Sequence, residues 1–350
     1  MPKRKPVIGL ALGSGSARGW AHVGVLRTLL EAGIRPDIVC GSSVGAIVGA
    51  AYATGKLDSF EEWIRSLRMR DVISLMDFRL TGGMLKGEKL VSFFRKHFED
   101  CRIEDLPMPF GAVATALHGG NELWLREGSL VDAVRASIAL PGVFTPVMVQ
   151  ERLLVDGGLV NPVPVTLARA MGADIVIAVD LNRDILQRHL QPPDEPAQRS
   201  PWLQSIQNTL GGWLPDSVTD IVSSPLPSML EVLATSINIM QERITRSRMA
   251  GDPPDMVIAP RLAHLSLMDF HRAQEAIDVG RQATEFLLPV MQPWVNVSPP
   301  DPAPILPAPL PGASDVLADV PPPVVDAPGS VLLGRRQDVK RRLLLQQRAG

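Results

Sequence analysis

Ser43 lies at the centre of the sequence GSSVG, residues 41–45, which fits the pattern G-x-S-x-G. A short β-like run comes before it, and an apolar, helix-like run over residues 46–51 follows it. At a turn from strand to helix, a serine can present its hydroxyl above the sheet and act as a nucleophile. Gly41 and Gly45 would leave room for so sharp a turn, because they carry no side chains. Glycine-rich structural turns produce the same pattern, so both interpretations of Ser43 stay open on this stretch alone.

A nucleophilic serine needs a base to accept its proton, and two aspartates are candidates. Asp156 ends the apolar run LLVD and is followed by Gly157 and Gly158. Asp180 ends the run DIVIAVD in the same way. Aspartate is disfavoured inside strands, so each is either a turn residue or an acid placed for chemistry. The late histidines lie in helical or pre-helical stretches, which indicates core or surface roles for them.

The sequence GSGSARG, residues 13–19, joins the first predicted strand to the first predicted helix. Free backbone N–H groups at the start of a helix attract negative charge, so this loop is a candidate anion site. The anion could be a dinucleotide pyrophosphate or the oxyanion of an acyl-transfer intermediate. The spacing G-x-G-x-x-x-G departs from the dinucleotide fingerprint, and the loop lacks the G-K-[S/T] of a P-loop. If the loop and the GSSVG turn belong to neighbouring parallel strands, Gly15 and Ser16 would face Ser43.

Strand-like and helix-like segments alternate along the first half of the chain and continue less regularly after it. Strands are predicted over residues 7–12, 37–40, 110–117, 122–125, 152–155, 174–180 and 255–260. Helices are predicted over residues 20–32, 44–54, 60–68, 87–98, 129–140, 164–171, 230–249 and 270–288. The spacing Asp58-x-x-Glu61 has the form of a helix start for the helix over residues 60–68. The alternation predicts a layered α/β fold around a largely parallel central sheet.

Composition narrows the class of protein. The chain has 350 residues, 45% of them hydrophobic, which suffices for one large core or two modest ones. A net charge of −2 gives no general attraction to nucleic acid, and two cysteines outside any C-x-x-C spacing favour neither disulfides nor metal binding. No apolar run approaches the roughly 20 residues that span a bilayer, and the N-terminal apolar run is too short for a signal peptide. We therefore expect a cytoplasmic protein without a metal or cofactor and without a nucleic-acid partner.

The C-terminal part has a different composition from the rest. Residues 293–328 hold 12 of the 32 prolines, so residues 293–330 are predicted to be a disordered linker after a domain at residues 1–292. Residues 331–350 carry six basic residues and one acidic residue. This tail could form a short amphipathic helix that contacts an anionic membrane peripherally, on its inner face. A solvated, disordered tail is the alternative.

Several long motifs resemble the patatin-like phospholipase family, in particular its bacterial RssA-type branch. They span about residues 6–290 and leave out the proline-rich linker and the basic tail. In chain order they are GLALGSGSARGWAHVGVL, DIVCGSSVGAIVGAAYA, VRASIALPGVFTPV, LLVDGGLVNPVPV, TLARAMGADIVIAVDL and SRMAGDPPDMVI.

The resemblance implies a three-layer α/β sandwich with a largely parallel central sheet, and a Ser–Asp dyad that uses no histidine. Ser43 would be the nucleophile and Asp156 the base of a hydrolase that cleaves acyl esters of phospholipids or lysophospholipids through an acyl-serine intermediate. The glycines of the elbow and of the dyad motif would be Gly41, Gly45, Gly157 and Gly158. The oxyanion hole would be formed chiefly by Gly15 and Ser16. The other members of the hole would be Gly13, Ser14 and Arg18.

One departure from the family pattern concerns this loop. Many members have a continuous glycine run where this chain has Ser14 and Ser16. Serine tolerates a positive φ less well than glycine, which puts the geometry of the hole in question. A regulatory or scaffolding protein on the same fold, with little turnover, is therefore the alternative function.

Overall fold

The computed structural model describes residues 4–68, 71, 101–141, 143–185 and 229–295. The helix predicted over residues 87–98, the tail at 331–350 and all of the linker from residue 296 onward lie outside these residues. The described part belongs to one compact unit, Met1–Pro299. Within it, no helix combines the length and the apolar character needed to cross a bilayer.

Eight strands of the described residues form one mixed sheet. They are β1 (Ile8–Leu12), β2 (Ile38–Ser42), β3 (Phe110–Ala116), β4 (Glu122–Leu125), β5 (Val147–Val149), β6 (Arg152–Asp156), β7 (Ile175–Val179) and β8 (Met256–Ile258). The order is β5-β6-β3-β2-β1-β7-β8, with β4 also paired to β3. Strands β3, β2, β1, β7 and β8 run parallel, whereas β4 and β6 are antiparallel to β3 and β5 is antiparallel to β6. The predicted largely parallel sheet is confirmed.

Helices cover both faces of this sheet. They are α1 (Ala21–Glu31), α2 (Val44–Ala53), α3 (Leu57–Ser66), α4 (Leu130–Ser137), α5 (Val165–Ala170), α6 (Met229–Gly251) and α7 (Ala273–Val295). The alternation of side chains along β1 shows the two faces: Leu10 and Leu12 join the apolar cluster of α1, α2, α3 and α7, whereas Ala11 joins the cluster of α5. The three-layer α/β arrangement expected from the sequence is confirmed.

Strands β2 and β6 meet head to head along one edge of β3. Ser42, the last residue of β2, is opposite Val113, and Asp156, the last residue of β6, is opposite the next residue, Ala114. Strand β4 pairs with the other edge of β3 at these positions. Strands β2 and β6 therefore pair with the same edge of β3, one after the other. Since the two strands run in opposite directions, their C-terminal ends face each other. This topology brings the residue after β2, Ser43, next to Asp156.

Helix α7 packs closely across α1 through two facing glycines. A Cβ on Gly24 of α1 would lie 1.9 Å from the carbonyl oxygen of Ile277, and one on Gly280 of α7 would lie 2.1 Å from that of Ala21. Such distances leave no room for a methyl group, so the two helix backbones are in contact. This crossing holds α1, the helix that follows the GSGSARG loop, against the body of the domain.

Two element boundaries differ from the sequence-based predictions for clear physical reasons. Helix α3 begins at Leu57 and not at residue 60, and Asp58 and Glu61 do not cap it. Their carboxylates instead accept hydrogen bonds from Arg27 of α1, which stabilises the packing of α1 on α3. Helix α7 continues past residue 288 through Pro289 and Pro293 to Val295. Both prolines are exposed, so the carbonyls that they leave without a helical partner can bind water.

One strand was not predicted at all. Strand β5 has only three residues and pairs with β6 alone at the edge of the sheet. Its sequence, VMV, is too short for a period-two pattern to appear.

Candidate active site

Ser43 lies at a sharp turn between β2 and α2. Its φ of 55° is in the left-handed region, which costs about 1–3 kcal/mol for a residue with a side chain. Two glycines leave room for the turn: a Cβ on Gly41 would lie 2.4 Å from Ala46 Cα, and one on Gly45 would lie 2.1 Å from Leu12 O. The structure therefore has the strand–elbow–helix geometry that the G-x-S-x-G pattern predicts.

A second serine holds the elbow from the neighbouring helix. The backbone N–H of Ser43 donates to Ser137 Oγ, at the end of α4, over 2.9 Å. Ser137 is completely buried, so its hydroxyl is not shared with bulk water. This bond fixes the orientation of the Ser42–Ser43 peptide and helps to maintain the unusual φ.

Asp156 receives a hydrogen bond from Ser43. The distance from Ser43 Oγ to Asp156 Oδ2 is 2.6 Å. The other carboxylate oxygen, Oδ1, accepts the backbone N–H of Gly158 over 2.7 Å, which fixes the plane of the carboxylate. The Asp156 backbone is held on both sides, by Ala139 O and by Thr115 Oγ1. The structure thus brings together the two residues that the sequence nominated as nucleophile and base.

Burial dominates the electrostatics of this carboxylate. Asp156 is 0% exposed, and the resulting desolvation raises its pKa from the ordinary value of 3.8 to about 7. The hydrogen bonds from Ser43 and from the Gly158 N–H oppose this rise without cancelling it. The guanidinium of Arg18, although it belongs to the neighbouring loop, is not among the groups that shift this pKa. Arg18 interacts instead with Asp180 and Asp184.

The glycines after Asp156 are needed for space. A Cβ on Gly157 would lie 2.1 Å from Val113 O, on the edge of β3. One on Gly158 would lie 2.5 Å from Gln241 Nε2 and 2.9 Å from the Asp156 carboxylate. A side chain at either position would therefore displace β6 or the carboxylate itself.

Two backbone N–H groups of the GSGSARG loop have no hydrogen-bond partner among the described residues. Its other amides up to residue 18 donate to carbonyl oxygens: Gly13 to Val179 (3.0 Å), Ser14 to Pro162 (2.9 Å), Ala17 to Leu267 (3.2 Å) and Arg18 to Gly15 (3.2 Å). The N–H groups of Gly15 and Ser16 have no such partner within the described part of the chain. Gly13 and Ser14 therefore shape the loop, whereas Gly15 and Ser16 are the candidate donors to a developing negative charge.

The loop packs directly on the serine elbow. A Cβ on Gly19 would lie 2.2 Å from Val44 Cγ2, and one on Gly45 would lie 2.8 Å from Gly13 O. Ser16 has a φ of 52°, the left-handed conformation that serine tolerates less well than glycine. Its hydroxyl donates to Leu267 O over 2.6 Å, and this bond offsets part of that strain.

The buried, positively charged side chain of Arg18 connects the loop to helix α6 through hydrogen bonds. Its Nε donates to Gly15 O (3.2 Å) and its Nη2 to Asn238 Oδ1 of α6 (3.1 Å). Burial lowers the pKa of Arg18 to about 10, although the carboxylates of Asp184 and Asp180 raise it. The guanidinium therefore stays protonated at neutral pH.

Neither the rival base nor any of the four histidines in the described ranges has a hydrogen bond to the serine. Asp180 Oδ1 accepts the backbone N–H of Asn182 over 3.0 Å, and Asp180 has no hydrogen bond to Ser43. His22 is buried with Nε2 on Gly13 O at 2.7 Å, and burial lowers its pKa to about 4. His264 pairs with Glu275 at the surface. None of the four histidines in the described ranges hydrogen-bonds to Ser43 or Asp156, and no three His, Cys, Asp or Glu side chains there group as metal ligands.

Sequence reasoning missed the polar residues that surround this site. They are Ser137, Asn182, Asn238 and Gln241. Two lie on α6, about 200 residues from the loop that they contact, and no local pattern marks them. Asn182 had a weak signal, because it follows the strand DIVIAVD at the edge of the sheet where ligands of parallel α/β sheets bind.

Comparisons with known proteins show which sequences this chain is similar to. A sequence model of the patatin-like phospholipase family matches residues 10–169, which include the loop, the elbow and Asp156. An uncharacterized NTE family protein of Mycobacterium bovis is 36% identical over 322 residues, covering 79% of this chain and 89% of that protein. Human patatin-like phospholipase domain-containing protein 6 is 31% identical over 292 residues, covering 79% of this chain but only 20% of that protein.

Among solved structures, the crystal structure of VipD from Legionella pneumophila aligns with a TM-score of 0.40 and 15% sequence identity. The alignment covers 82% of this chain and 67% of that one. A likeness this distant supports no inference about function. The mycobacterial relative carries the NTE name, and assignment of this chain to an RssA-type branch remains a prediction.

Proposed function

Because this chain belongs to the patatin-like phospholipase family, a family of lipid ester hydrolases, we propose that it hydrolyses lipid acyl esters with Ser43 and Asp156 as a catalytic dyad. The observation that carries the proposal is the 2.6 Å hydrogen bond from Ser43 Oγ to the buried Asp156 carboxylate. A serine hydroxyl is a weak nucleophile, and a base within hydrogen-bond reach activates it.

In the first half of the reaction, Ser43 Oγ attacks the carbonyl carbon of the ester while Asp156 accepts its proton. The carbonyl oxygen becomes an oxyanion, and the N–H groups of Gly15 and Ser16 are the donors available to bind it. The tetrahedral intermediate then collapses. The bond from the carbonyl carbon to the alcohol oxygen breaks, the alcohol takes the proton from Asp156, and the acyl group stays on Ser43.

In the second half, water attacks the acyl-serine and Asp156 accepts the water proton. Collapse of the second intermediate releases the fatty acid and returns the proton to Ser43 Oγ. The balance is one ester and one water converted to one acid and one alcohol. A base with a pKa raised to about 7 suits both proton transfers near neutral pH, because the ideal catalytic pKa lies near the operating pH.

The substrate class proposed is a phospholipid or lysophospholipid acyl ester. It rests on the family alone, since the described residues around Ser43 identify no head group. A panel of short-chain esters, lysophospholipids and phospholipids separates these substrates by kcat/KM.

A fluorophosphonate reporter tests the nucleophile, because an activated serine displaces its fluoride and becomes phosphonylated. Wild type should be labelled and Ser43→Ala should not. Ser42→Ala is the matched control: Ser42 is the adjacent residue, fully buried, and its hydroxyl has no hydrogen-bond partner among the described residues. Labelling of Ser42→Ala should equal that of wild type.

Two results would contradict the proposal. Labelling that survives Ser43→Ala would place the nucleophile elsewhere. Folded wild-type protein that is neither labelled nor active on any ester of the panel would favour the alternative, a regulatory or scaffolding protein on this fold.

A further inference from the structure

The orientation of each peptide group in the GSGSARG loop is set by what binds its carbonyl oxygen. In a planar trans peptide, the C=O of one residue and the N–H of the next point in opposite directions. A donor that holds a carbonyl on one side of the loop therefore aims the following N–H toward the other side.

The first peptide of the loop is held at both ends by the protein. Gly13 O accepts from His22 Nε2 over 2.7 Å, and the N–H of the same peptide, on Ser14, donates to Pro162 O over 2.9 Å. A backbone carbonyl only accepts hydrogen bonds, so the His22 proton lies on Nε2. This peptide has no donor left for a substrate.

Within the described part of the chain, the next two peptides are held at their carbonyl ends alone. Gly15 O accepts from Arg18 Nε and from the Arg18 backbone N–H, each over 3.2 Å, so the N–H of Ser16 points away from Arg18. Ser14 O accepts from Asn182 Nδ2 over 3.4 Å, so the N–H of Gly15 points away from Asn182. The N–H groups of Gly15 and Ser16 are the same two that have no partner in the described part of the chain.

Asn182 is itself fixed in place by two further contacts. Its backbone N–H donates to Asp180 Oδ1 over 3.0 Å, and its Nδ2 also donates to Gln241 Oε1 over 3.2 Å. Gln241 Oε1 accepts the Ser14 hydroxyl as well, over 3.1 Å. Asn182 is 2% exposed, so its amide cannot exchange these partners for bulk water. Helix α6 thus holds both the loop serine and the asparagine that binds its carbonyl.

We propose that Asn182 is a positioning residue for the hydrolysis proposed above: through Ser14 O, it aims the Gly15 N–H at the oxyanion of the tetrahedral intermediate. Gln241 supports it by holding the Asn182 amide and the Ser14 hydroxyl together. Asn182 does not touch the substrate. Its effect appears only when negative charge develops on the carbonyl oxygen, so it acts on kcat and leaves ground-state binding unchanged.

Asn182→Asp, assayed at alkaline pH so that the new buried carboxyl group is ionised, is the sharpest test, because it keeps the side-chain shape and replaces the donor with an oxygen. An oxygen of the new carboxylate would then face Ser14 O. The two oxygens repel each other, so the Ser14–Gly15 peptide would rotate. Loss of a complete oxyanion donor costs about 10²–10³ in kcat, so a misaimed donor should lower kcat by about 10- to 100-fold. KM should change by less than about twofold, since the effect is confined to the transition state.

Two measurements separate this role from a merely structural one. Titration with the fluorophosphonate reporter gives the fraction of sites that are competent, and kcat is then expressed per titrated site. A trifluoromethyl ketone analogue of the ester forms a tetrahedral oxyanion on the serine, so its inhibition constant should rise by the same factor as kcat/KM falls. Damage to folding alone would reduce the titrated fraction and leave both per-site values unchanged.

A second variant and a control complete the test. Gln241→Met keeps similar volume but removes the acceptor that Asn182 and Ser14 share. It should lower kcat per site by about 3- to 10-fold with KM unchanged, because the Gly15 N–H is held less firmly but is not turned away from the oxyanion. Thr245→Val is the control on the same helix. Its hydroxyl is buried without a hydrogen-bond partner in the described residues, so per-site kcat should match wild type.

The outcomes are distinguishable. If wild type is active and both Asn182→Asp and Gln241→Met retain wild-type kcat per site, the positioning role is wrong and the dyad stands. If Asn182→Asp does not fold, Gln241→Met decides by the same criteria. If wild type neither turns over esters nor reacts with the reporter, the proposed hydrolysis itself fails.

Discussion

At the scale of single residues, the buried carboxylate of Asp156 determines the behaviour of the site. A carboxylate base with an ordinary pKa near 3.9 would place the acid limb of activity below the range of histidine, unless burial dominated. Burial does dominate, and it raises the Asp156 pKa to about 7. An acid limb near neutral pH would therefore not distinguish this aspartate from a histidine base.

The pH dependence of kcat/KM follows from the sign of this shift. The base acts in its ionised form, so kcat/KM should fall as pH decreases through about 7, the pKa of Asp156 in the free protein. Profiles of wild type, His118→Gln and His264→Gln, measured on a soluble ester, should show the same limb. A limb that disappears in either histidine variant would contradict the assignment of Asp156 as base.

Asp156→Asn should separate activity from stability. The amide oxygen can still accept the Gly158 N–H, and the amide nitrogen can donate to Ser43 Oγ, so the fold should be retained. The base is lost, so kcat should fall by about 10³-fold or more, as when a dyad or triad member is removed.

The stability of the same variant depends on pH in a defined direction. Because the folded pKa of Asp156 is raised to about 7 from 3.8, the folded protein holds a proton between these pH values that the unfolded chain has lost. The stabilisation is complete below the unfolded pKa and is lost as pH rises through about 7. Chemical denaturation at pH 8 should therefore show Asp156→Asn to be more stable than wild type by about 1–4 kcal/mol, since one pKa unit corresponds to about 1.4 kcal/mol. The gain should vanish near pH 4, and an equal gain at both pH values would contradict this origin.

At the scale of elements, local pattern predicted the parts of the site that are encoded locally. The GSSVG elbow, the strand before Asp156 and the glycine-rich loop each carry their signal within about ten residues of sequence. What the sequence could not predict is how strands β2 and β6 meet on one edge of β3, because that depends on pairing between distant segments. Ser137, Asn182 and Gln241 were missed for the same reason: each reaches the site from another element.

The crossing of α1 and α7 provides a test of packing at this scale. Gly280→Ala would place a methyl group about 2.1 Å from Ala21 O, so the helices must separate. Overpacking of this kind costs about 1–3 kcal/mol, more than the gain in helix propensity of about 1 kcal/mol. Thermal unfolding should show a lower midpoint for Gly280→Ala. In the control Gly251→Ala, the new Cβ would meet nothing within 4 Å, and a matching loss there would rule out the steric explanation.

At the scale of the whole molecule, the site is assembled at the carboxyl edge of the sheet. The loop after β1, the elbow after β2 and the segment after β7 follow three adjacent parallel strands, so they meet at one edge. Strand β6 adds Asp156 from the opposite direction, and α6 adds Gln241 and Asn238. The proposed site therefore combines segments that span residues 13–241, all within the compact unit Met1–Pro299.

Residues 331–350 lie outside the described structure, and their membrane role remains a prediction from sequence. Six basic residues and one acidic residue should attract the tail to an anionic bilayer, at about 1 kcal/mol per basic residue near the surface. Truncation after residue 330 should weaken pelleting with phosphatidylserine vesicles at low salt and leave kcat on a soluble ester unchanged, because the dyad and its loop precede residue 242. Since exposed charges are screened within about 10 Å at 0.1 M salt, added salt should reduce pelleting of the full chain toward that of the truncated one. A variant with Arg335, Arg336, Arg341 and Arg342 changed to Gln should behave like the truncation; equal pelleting of all three proteins would rule out the electrostatic role.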